Sequence, residues 1–370
     1  MTLIEGVESS IGPIVVVFVL AAAVAFLLTP LVRRLVVRHD VVDRPDDRRV
    51  NVTTVPRSGG LAVAAAFLSV AAMFVWLNET NAWVPVPLTL SSPDLIALFV
   101  GGAAAAAIGA IDDLFDLRAR WQLAGQLLLA AFAVGLGVAI EFIANPFGDG
   151  VIRFDGAFAV GFSIFWIVGM MNSINWIDGL DGLSSGVALI ACVTLGLLSL
   201  TTQVGQPLIA VLCFALAGAL LGFLRWNFYP ATIFTGTSGV QFVGYTLAVL
   251  SILGTAKVAV ALLVLGVPIL DTFWIIVRRL LAGRSPFTPD RSHIHHRLLD
   301  LGLSHRNTVL VIYAICASLG LIALLLSTVT QLYAFLGVFL LSGLVLFVPA
   351  RGAFRRPEEL EAEAYEPERG

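Results

Sequence analysis

The chain has 370 residues, of which 58% are hydrophobic and only 13% are charged, and its mean hydropathy is +0.94. An ordinary soluble domain carries roughly 25% charged residues, so this composition excludes a soluble globular protein and indicates a chain covered largely by lipid. The net charge of −3 indicates little by itself, and no nucleic-acid partner is expected.

Apolar runs long enough to span a bilayer follow one another along the chain. A spanning helix takes about 20 residues. The runs that meet this length are 11–36, 59–78, 95–111, 121–144, 157–172, 183–201, 206–224, 239–254, 256–277, 307–328 and 332–349. Two of them meet near Gly254, where ten spans are the alternative count. We expect an all-α polytopic membrane domain of about 11 helices over residues 1–350, followed by an acidic, disordered tail at 351–370.

Basic residues are distributed unevenly among the predicted loops. If the amino terminus lies outside, every Lys and Arg except Arg153 and Lys257 falls in an inner loop or at an inner helix end. The positive-inside rule describes this bias. All five histidines share that side. We expect a multi-pass protein of the bacterial plasma membrane, with its carboxyl terminus and its functional groups at the cytoplasmic face.

Two smaller predictions concern residues outside these polar loops. Asn145-Pro146 and Gly148-Asp149-Gly150 predict turns around a small hairpin in 145–156. The cysteines lie in apolar runs without CxxC or metal-ligand spacing, so we expect buried core residues. They are Cys192, Cys213 and Cys316.

Three carboxylates, Asp112, Asp113 and Asp116, follow the third apolar run. On a continued helix Asp112 and Asp116 share a face. Acids this close repel one another unless a cation or a basic group offsets their charge. A divalent metal or a basic side chain from another loop would do so. The alternative is a solvated helix end whose acids pair with Arg118 and Arg120.

A second polar cluster follows the fifth run. It combines the carboxamides of Asn172 and Asn175 with the carboxylates of Asp178 and Asp181, and each Asp is followed by a glycine. Oxygen ligands suit Mg²⁺, and glycine lets backbone approach a ligand closely. The alternative is a simple polar turn, which explains the composition but not the repeated Asp-Gly pair.

Two further clusters are basic. Residues 279–297 contain Asp290, Arg291, His293, His295, His296 and Arg297. Imidazole and guanidinium groups are suited to gripping a diphosphate, and the absence of Cys argues against structural zinc. A basic loop that only sets topology is the alternative. A weaker cluster, 43–49 with Arg57 and a Gly-Gly pair entering the second run, is suited to holding phosphate at a helix start. A basic loop that only sets topology is an equal alternative for this cluster.

In order along residues 43 to 304, these clusters resemble the motifs of the polyprenyl-phosphate N-acetylhexosamine-1-phosphate transferases, relatives of the bacterial phospho-MurNAc-pentapeptide translocase. The matching segments are Asp43 to Arg48, Pro56 to Gly60, Asp112 to Asp116, Asn172 to Gly182 and Ser285 to Leu298. The His-x-His-His form of the last segment is similar to the GlcNAc-type branch of the family.

The resemblance implies a reaction as well as a fold. A polyprenyl phosphate, undecaprenyl or decaprenyl, would attack the β-phosphorus of a UDP-N-acetylhexosamine, with UDP-GlcNAc as the leading donor. The products would be polyprenyl-diphospho-sugar and UMP, and Mg²⁺, or Mn²⁺ in its place, would bridge the donor diphosphate. By the same resemblance, this would be the first membrane step of a cell-envelope polysaccharide pathway. A homodimer is one alternative for the assembly.

The resemblance also implies residue roles. The catalytic residues would be Asp112, Asp113, Asp116, Asp178, Asp181, His293, His295 and His296. Substrate binding would involve Arg57, Asn172, Asn175, Asn227, Asp290, Arg291 and Arg297. The metal would be bound by Asn175, Asp112, Asp113 and Asp178. Whether an Asp acts as a base or as a covalent nucleophile is left open.

Three positions depart from the family pattern. Thr237 occupies the position of a metal-binding aspartate, Val240 that of a serine, and Asn51 that of a histidine. Three alternatives follow: Asp178 or Asp181 takes over the metal, the enzyme is slow or altered, or the protein binds its ligands without turnover. A cation-coupled transporter is a further alternative. Its sites are expected near the bilayer midplane, whereas only Asp271 lies inside a predicted span.

Overall fold

The computed structural model describes residues 7–44, 54–86, 90–145, 150–201, 204–254, 258–281, 283, 293–326 and 328–347. Helices dominate these residues. Their bounds are α1 (Val7–Arg38), α2 (Gly60–Asn81), α3 (Ser92–Phe115), α4 (Ala119–Gly135), α5 (Gly156–Ile177), α6 (Leu183–Ser199), α7 (Pro207–Asn227), α8 (Gly236–Leu253), α9 (Val258–Val264), α10 (Gly266–Leu281), α11 (Ile294–Asp300), α12 (His305–Leu325) and α13 (Thr328–Phe347). The strands are β1 (Val42–Asp43), β2 (Val55–Pro56), β3 (Phe142–Ala144) and β4 (Val151–Arg153).

Seven helices within the described residues are long and apolar enough to cross a membrane, namely α1, α2, α3, α5, α7, α8 and α12. This agrees with a mostly helical polytopic membrane protein, and the count of eleven spans stays a prediction. The three cysteines are buried, as expected.

In the expected ninth span, 256–277, the described residues form two helices instead of one. α9 and α10 meet at Leu265, directly before Gly266 and Pro268. Glycine disfavours a helix interior, and proline lacks the N–H and crowds the carbonyl four residues earlier. Together they account for the break, which the hydropathy pattern alone did not reveal. α11 was not predicted either.

The fourth expected span, 121–144, is also shorter than predicted. α4 ends at Gly135, and residues 142–144 form β3, which pairs antiparallel with β4 so that Ile143 lies opposite Ile152. A hairpin is therefore present, but its first strand lies inside the expected fourth span and not within 145–156, and 146–149 lie outside the described residues. A second antiparallel pair, β1 with β2, brings Asp43 opposite Val55.

α1 makes its most extensive contact with α7. Gly218 and Gly222 are four residues apart on α7, and a Cβ atom at either position would overlap a backbone carbonyl oxygen of α1, that of Phe18 or that of Ala22. Small residues at this spacing let two membrane helices approach backbone to backbone. The contact of α1 with α7 therefore depends on these two glycines.

The carboxyl ends of α3, α5 and α7 lie at the same end of the bundle as the amino ends of α2, α6 and α8. The turns at this end are therefore close to one another. Gly59 and Gly60 donate their N–H groups to the carbonyls of Phe234 and Thr235 at 2.8 Å each, and Phe234 N–H donates to the Pro56 carbonyl at 2.8 Å. These bonds hold the start of α2 beside the start of α8.

The glycine contact gives a first prediction. Gly218→Val should lower the free energy of unfolding by about 1–3 kcal/mol, because the added methyl groups push α1 away from α7. The measurement is the midpoint of thermal denaturation in detergent. Gly169→Val on α5 is the matched control, since nothing lies within 4 Å of a Cβ atom there. Equal effects of the two substitutions would contradict the assignment.

Candidate active site

A cavity of about 740 Å³ opens at the end of the bundle where α3, α5 and α7 end. Members of all four predicted polar clusters line it, together with residues that the sequence did not single out. The polar lining residues are Asp43, Arg57, Asp113, Asn175, Asp178, Asp181, Asn227, Tyr229, Thr235, Thr237, His296 and His305. Residues more than 250 positions apart along the chain thus meet around one space.

The buried carboxylate of Asp113 joins three segments at the cavity wall. One oxygen accepts the N–H of Thr237 at 2.8 Å, and the other accepts the Ser58 hydroxyl at 2.7 Å and the N–H of Ser238 at 3.1 Å. These N–H groups belong to the first turn of α8, where a negative charge is favourable. Thr235, which precedes the helix, contributes no side-chain cap. Asp113 therefore caps α8 from another helix.

Arg57 supplies the positive charge of the cavity wall. Its Nη2 donates to the Asp113 carbonyl and to Asp116 Oδ1, at 2.7 Å each, and its Nη1 lies 3.7 Å from Asp43 Oδ1. Burial by itself lowers the pKa of Arg57, but the hydrogen bond and the charge of Asp116, with the charges of Asp113 and Asp43, raise the pKa overall. The guanidinium group stays charged at any physiological pH.

The loop between α5 and α6 carries the second pair of acids. Asp178 Oδ1 accepts a hydrogen bond from the Ser184 hydroxyl. Burial raises the pKa of Asp178 to about 7, and the charges of Asp113 and Asp181 add to the effect. Without a nearby cation, this carboxyl group is therefore half protonated near neutral pH, and positive charge beside it would favour the ionised form.

Asp181 ties the same loop to two other segments. Its N–H donates to His305 Nε2 at 2.9 Å, and its Oδ2 accepts the N–H of Ala231 at 2.8 Å. The ring of His305 stacks on Tyr229, with the ring centroids 4.6 Å apart. The starts of α12 and of the loop after α7 are thereby fixed to the loop that carries both acids.

The three histidines of α11 and its cap occupy different environments. His296 lines the cavity. His295 is buried, and a Cβ atom at Gly179 would overlap its Nε2, so the ring lies directly against the Gly179 backbone. Burial lowers the pKa of His295 to about 3, and repulsion from His296 and His293 adds to this. The His295 ring is therefore neutral.

Among the described residues, six predicted site residues lie outside the cavity lining, namely Asp112, Asp116, Asn172, His293, His295 and Arg297. Asp112 Oδ1 accepts the Leu117 N–H and the Gln122 side-chain amide, at 2.9 Å each. Asp116 is exposed and pairs with Arg57, not with Arg118 or Arg120. The expectation that Asp112 and Asp116 share a helix face is wrong, because α3 ends at Phe115 and Asp116 adopts a left-handed φ of 46°.

Asn172 is also directed away from the cavity. Its amide nitrogen donates to Gln126 at 2.7 Å, and Gln126 in turn lies 3.3 Å from the Gln241 side chain. This network joins α4, α5 and α8 inside the bundle. Asn227 reaches the cavity, but its amide is engaged by the Ser185 hydroxyl and the Ile233 carbonyl. Asn172 therefore joins helices, and Asn227 holds the loop after α7.

The remaining predicted residues divide into two groups. His293 pairs with Asp271, and Arg297 is a partly buried residue of α11. Asp290, Arg291 and Asn51 lie outside the described residues. Sequence reasoning did not identify His305, Tyr229 or Ser58, since a lone His at the start of an apolar run or a Tyr in a loop carries no motif of its own.

The cavity lining suits a hard cation that is completed by substrate oxygens. It holds four carboxylates, those of Asp43, Asp113, Asp178 and Asp181, and one guanidinium group. Over the described part of the chain, no three Asp, Glu, His or Cys side chains are close enough to form a ready-made metal site. Mg²⁺ commonly takes one or two carboxylates plus substrate phosphates. The donor set therefore fits Mg²⁺ with a phosphate ligand.

A second prediction concerns Asp113. Asp113→Ala should lower the free energy of unfolding by about 1–3 kcal/mol, because two helix N–H groups and a buried hydroxyl lose their acceptor. Asp116→Ala, three residues along the chain and exposed, should change it by no more than about 1 kcal/mol. Thermal denaturation in detergent measures both, and a larger effect of Asp116→Ala would contradict the capping role.

Comparison with known proteins identifies the family. The model of glycosyl transferase family 4 matches residues 95–255. A Bacillus subtilis (strain 168) protein named "Probable undecaprenyl-phosphate N-acetylglucosaminyl 1-phosphate transferase" is 36% identical over 342 residues, 90% of each chain. The decaprenyl-phosphate N-acetylglucosaminephosphotransferase of Mycobacterium leprae (strain TN) is 37% identical over 79% of this chain and 78% of its own.

A more distant relative shows the same extent of similarity. The undecaprenyl-phosphate alpha-N-acetylglucosaminyl 1-phosphate transferase of Yersinia pestis is 28% identical over 92% of this chain and 91% of its own. The similarity to these relatives therefore covers most of the chain. The chain belongs to glycosyl transferase family 4, as a phosphoglycosyl transferase, which confirms the resemblance of its motifs.

Proposed function

We propose that this protein transfers N-acetylglucosamine 1-phosphate from UDP-GlcNAc to polyprenyl phosphate and releases UMP. The names of its relatives motivate the choice of sugar and acceptor. One observation carries the proposal: Asp113, Asn175, Asp178, Asp181 and His296 converge on one cavity at an end of the helix bundle. A site at a bundle end suits a reaction between a soluble nucleotide sugar and a lipid phosphate.

The reaction needs positioning and charge neutralisation more than covalent chemistry by the protein. A phosphate oxygen of the lipid attacks the β-phosphorus of the donor, and the bond from that phosphorus to the UMP oxygen breaks. In our proposal, Arg57 faces the anionic lipid phosphate and His296 faces the donor diphosphate. Asp181, held by His305 and Ala231, orients the loop that borders the donor.

Mg²⁺ is the proposed cofactor, with Asp178 and Asn175 as the residues that would hold it. When bound, it would supply the positive charge that the cavity lacks beside the donor diphosphate. Asp113 has three hydrogen-bond donors on its carboxylate, so we assign it to fixing the cavity wall. Asp178 accepts side-chain hydrogen bonds from Ser184 and Thr235, and its pKa of about 7 suits exchange between a proton and a cation.

Thr237 favours a second candidate function. It lines the cavity, and its backbone N–H binds Asp113. A hydroxyl group there brings no negative charge, whereas the family pattern has an aspartate. The alternative proposal is a protein that binds lipid phosphate or nucleotide sugar without turnover. A transporter is less favoured, because the acids that line the cavity gather at one end of the bundle.

A radiolabelled exchange assay separates the two candidates. In membranes that contain the protein, labelled UMP should exchange into UDP-GlcNAc when polyprenyl phosphate and Mg²⁺ are present, and a chelator should abolish the exchange. Asp178→Asn should reduce the rate by about 10²–10³-fold if the carboxylate holds the counter-ion. Asp155→Asn, at the opposite end of α5, is the matched control and should leave the rate unchanged.

The Thr237→Asp variant tests whether the threonine that replaces the family's aspartate prevents turnover. If the wild type exchanges UMP, the substitution tests whether a second anionic ligand strengthens Mg²⁺ dependence. A silent wild type that gains exchange with Thr237→Asp would favour the binding role. Silence of both proteins with every UDP-sugar would overturn the proposal of a transferase.

We further propose eleven spans in the plasma membrane, with the amino terminus outside and the cavity at the cytoplasmic face. Arg44 and Thr80 are exposed near opposite ends of the bundle, and the native cysteines are buried. A membrane-impermeant maleimide should label Thr80→Cys in intact cells and Arg44→Cys only after permeabilisation. Labelling of Arg44→Cys in intact cells would overturn this orientation.

A further inference from the structure

Asp271 is a buried carboxylate that the proposed reaction does not use. It lies on α10, is 6% exposed and is absent from the cavity lining. Acids inside membrane proteins are costly, and they pair with a partner when they occur. The partner of Asp271 is the beginning of α11, the short helix whose histidines approach the cavity.

Both carboxylate oxygens of Asp271 bind this helix start. Oδ2 lies 2.7 Å from His293 Nδ1, and Oδ1 accepts the N–H of Ile294 at 2.9 Å. His293, which precedes the helix, makes no cap of its own. A hydrogen bond between these two atoms fixes the orientation of the His293 ring. Asp271 thus holds both the ring of His293 and the first N–H group of α11.

The position of α11 in turn determines what surrounds the cavity. The rings of His293 and His295 are stacked with centroids 5.5 Å apart, and those of His295 and His296 are 4.4 Å apart. His295 lies against the backbone of Gly179, between Asp178 and Leu180. A movement of His293 would therefore displace His296 and remove the support of the loop that carries Asp178.

A seven-residue helix has little stability of its own, since isolated helices shorter than about 12–15 residues are marginal. α11 consequently needs an external anchor. We propose that Asp271 is a positioning residue. From α10 it holds the start of α11 through His293 and Ile294, a contact called the clamp below, and it thereby aligns the half of the site that binds the nucleotide sugar. This assignment of a half-site rests on the proposed function, whereas the clamp itself does not.

The test compares Asp271→Ala with Asp94→Ala in the full-length protein in detergent. Asp94 is an equally buried carboxylate that caps a helix, but it belongs to the capping box at the start of α3, at the opposite end of the bundle. Both variants remove a helix cap, so general loss of stability affects both. Asp271→Asn is the conservative variant, because its amide can still accept from Ile294.

Two readouts separate the clamp from the function. Hydrogen exchange of the Ile294–Asp300 amides should speed up at least tenfold in Asp271→Ala and stay unchanged in Asp94→Ala. The KM or Kd for UDP-GlcNAc should rise at least tenfold in Asp271→Ala, and kcat/KM should fall about 10²-fold for a displacement near 1 Å. The KM for polyprenyl phosphate should stay unchanged, and Asp271→Asn should recover part of the donor affinity.

Unchanged hydrogen exchange of the α11 amides in Asp271→Ala would overturn the clamp. Faster exchange with an unchanged KM and Kd for UDP-GlcNAc, or an equal rise of the lipid KM, would overturn the positioning role. A wild type that neither transfers nor binds UDP-GlcNAc refutes the proposed function and, with it, the donor role of Asp271, and the exchange rates of α11 then decide the clamp alone.

Discussion

The carboxylate of Asp113 is the interaction on which the cavity depends. It is buried at the end of α3, and it meets the first turn of α8 and the Ser58 hydroxyl before α2. Helix ends leave backbone N–H groups without partners, and here one acid satisfies two of them across three chain segments. Loops that enclose a polar cavity inside an apolar bundle need such fixed points, because the surrounding lipid offers no hydrogen bonds.

The cavity has an imbalance of charge that limits what it can bind. Four carboxylates face one guanidinium group, and the nearby imidazole of His295 is neutral because burial lowers its pKa to about 3. A diphosphate alone would add repulsion to this lining. The same imbalance gives a physical reason for Thr237 in place of the family's aspartate. With one anionic group fewer, the remaining acids need less positive charge to neutralise them. The substitution therefore changes the degree of the imbalance without reversing its sign.

The sequence predicted the gathering of its polar clusters at one end of the bundle, because loop composition and charge bias act over whole segments. It could not predict which side chains face the cavity. Asp112 and Asp113 are adjacent and chemically identical, yet only Asp113 reaches the lining, because neighbouring residues of a helix point about 100° apart. Asp112 is directed to Leu117 and Gln122 instead. Asn172 was assigned to substrate, but its partners Gln126 and Gln241 lie on distant helices that no local pattern connects.

The two ends of the bundle differ in how much change they tolerate. The turns around the cavity hold one another through side chains, so a length change in any of them would shift several groups at once. The β3–β4 hairpin joins α4 to α5 at the other end, and Val151, Ile152 and Arg153 are all exposed. This exposed strand offers an attachment point for an epitope or a rigid fiducial in electron microscopy.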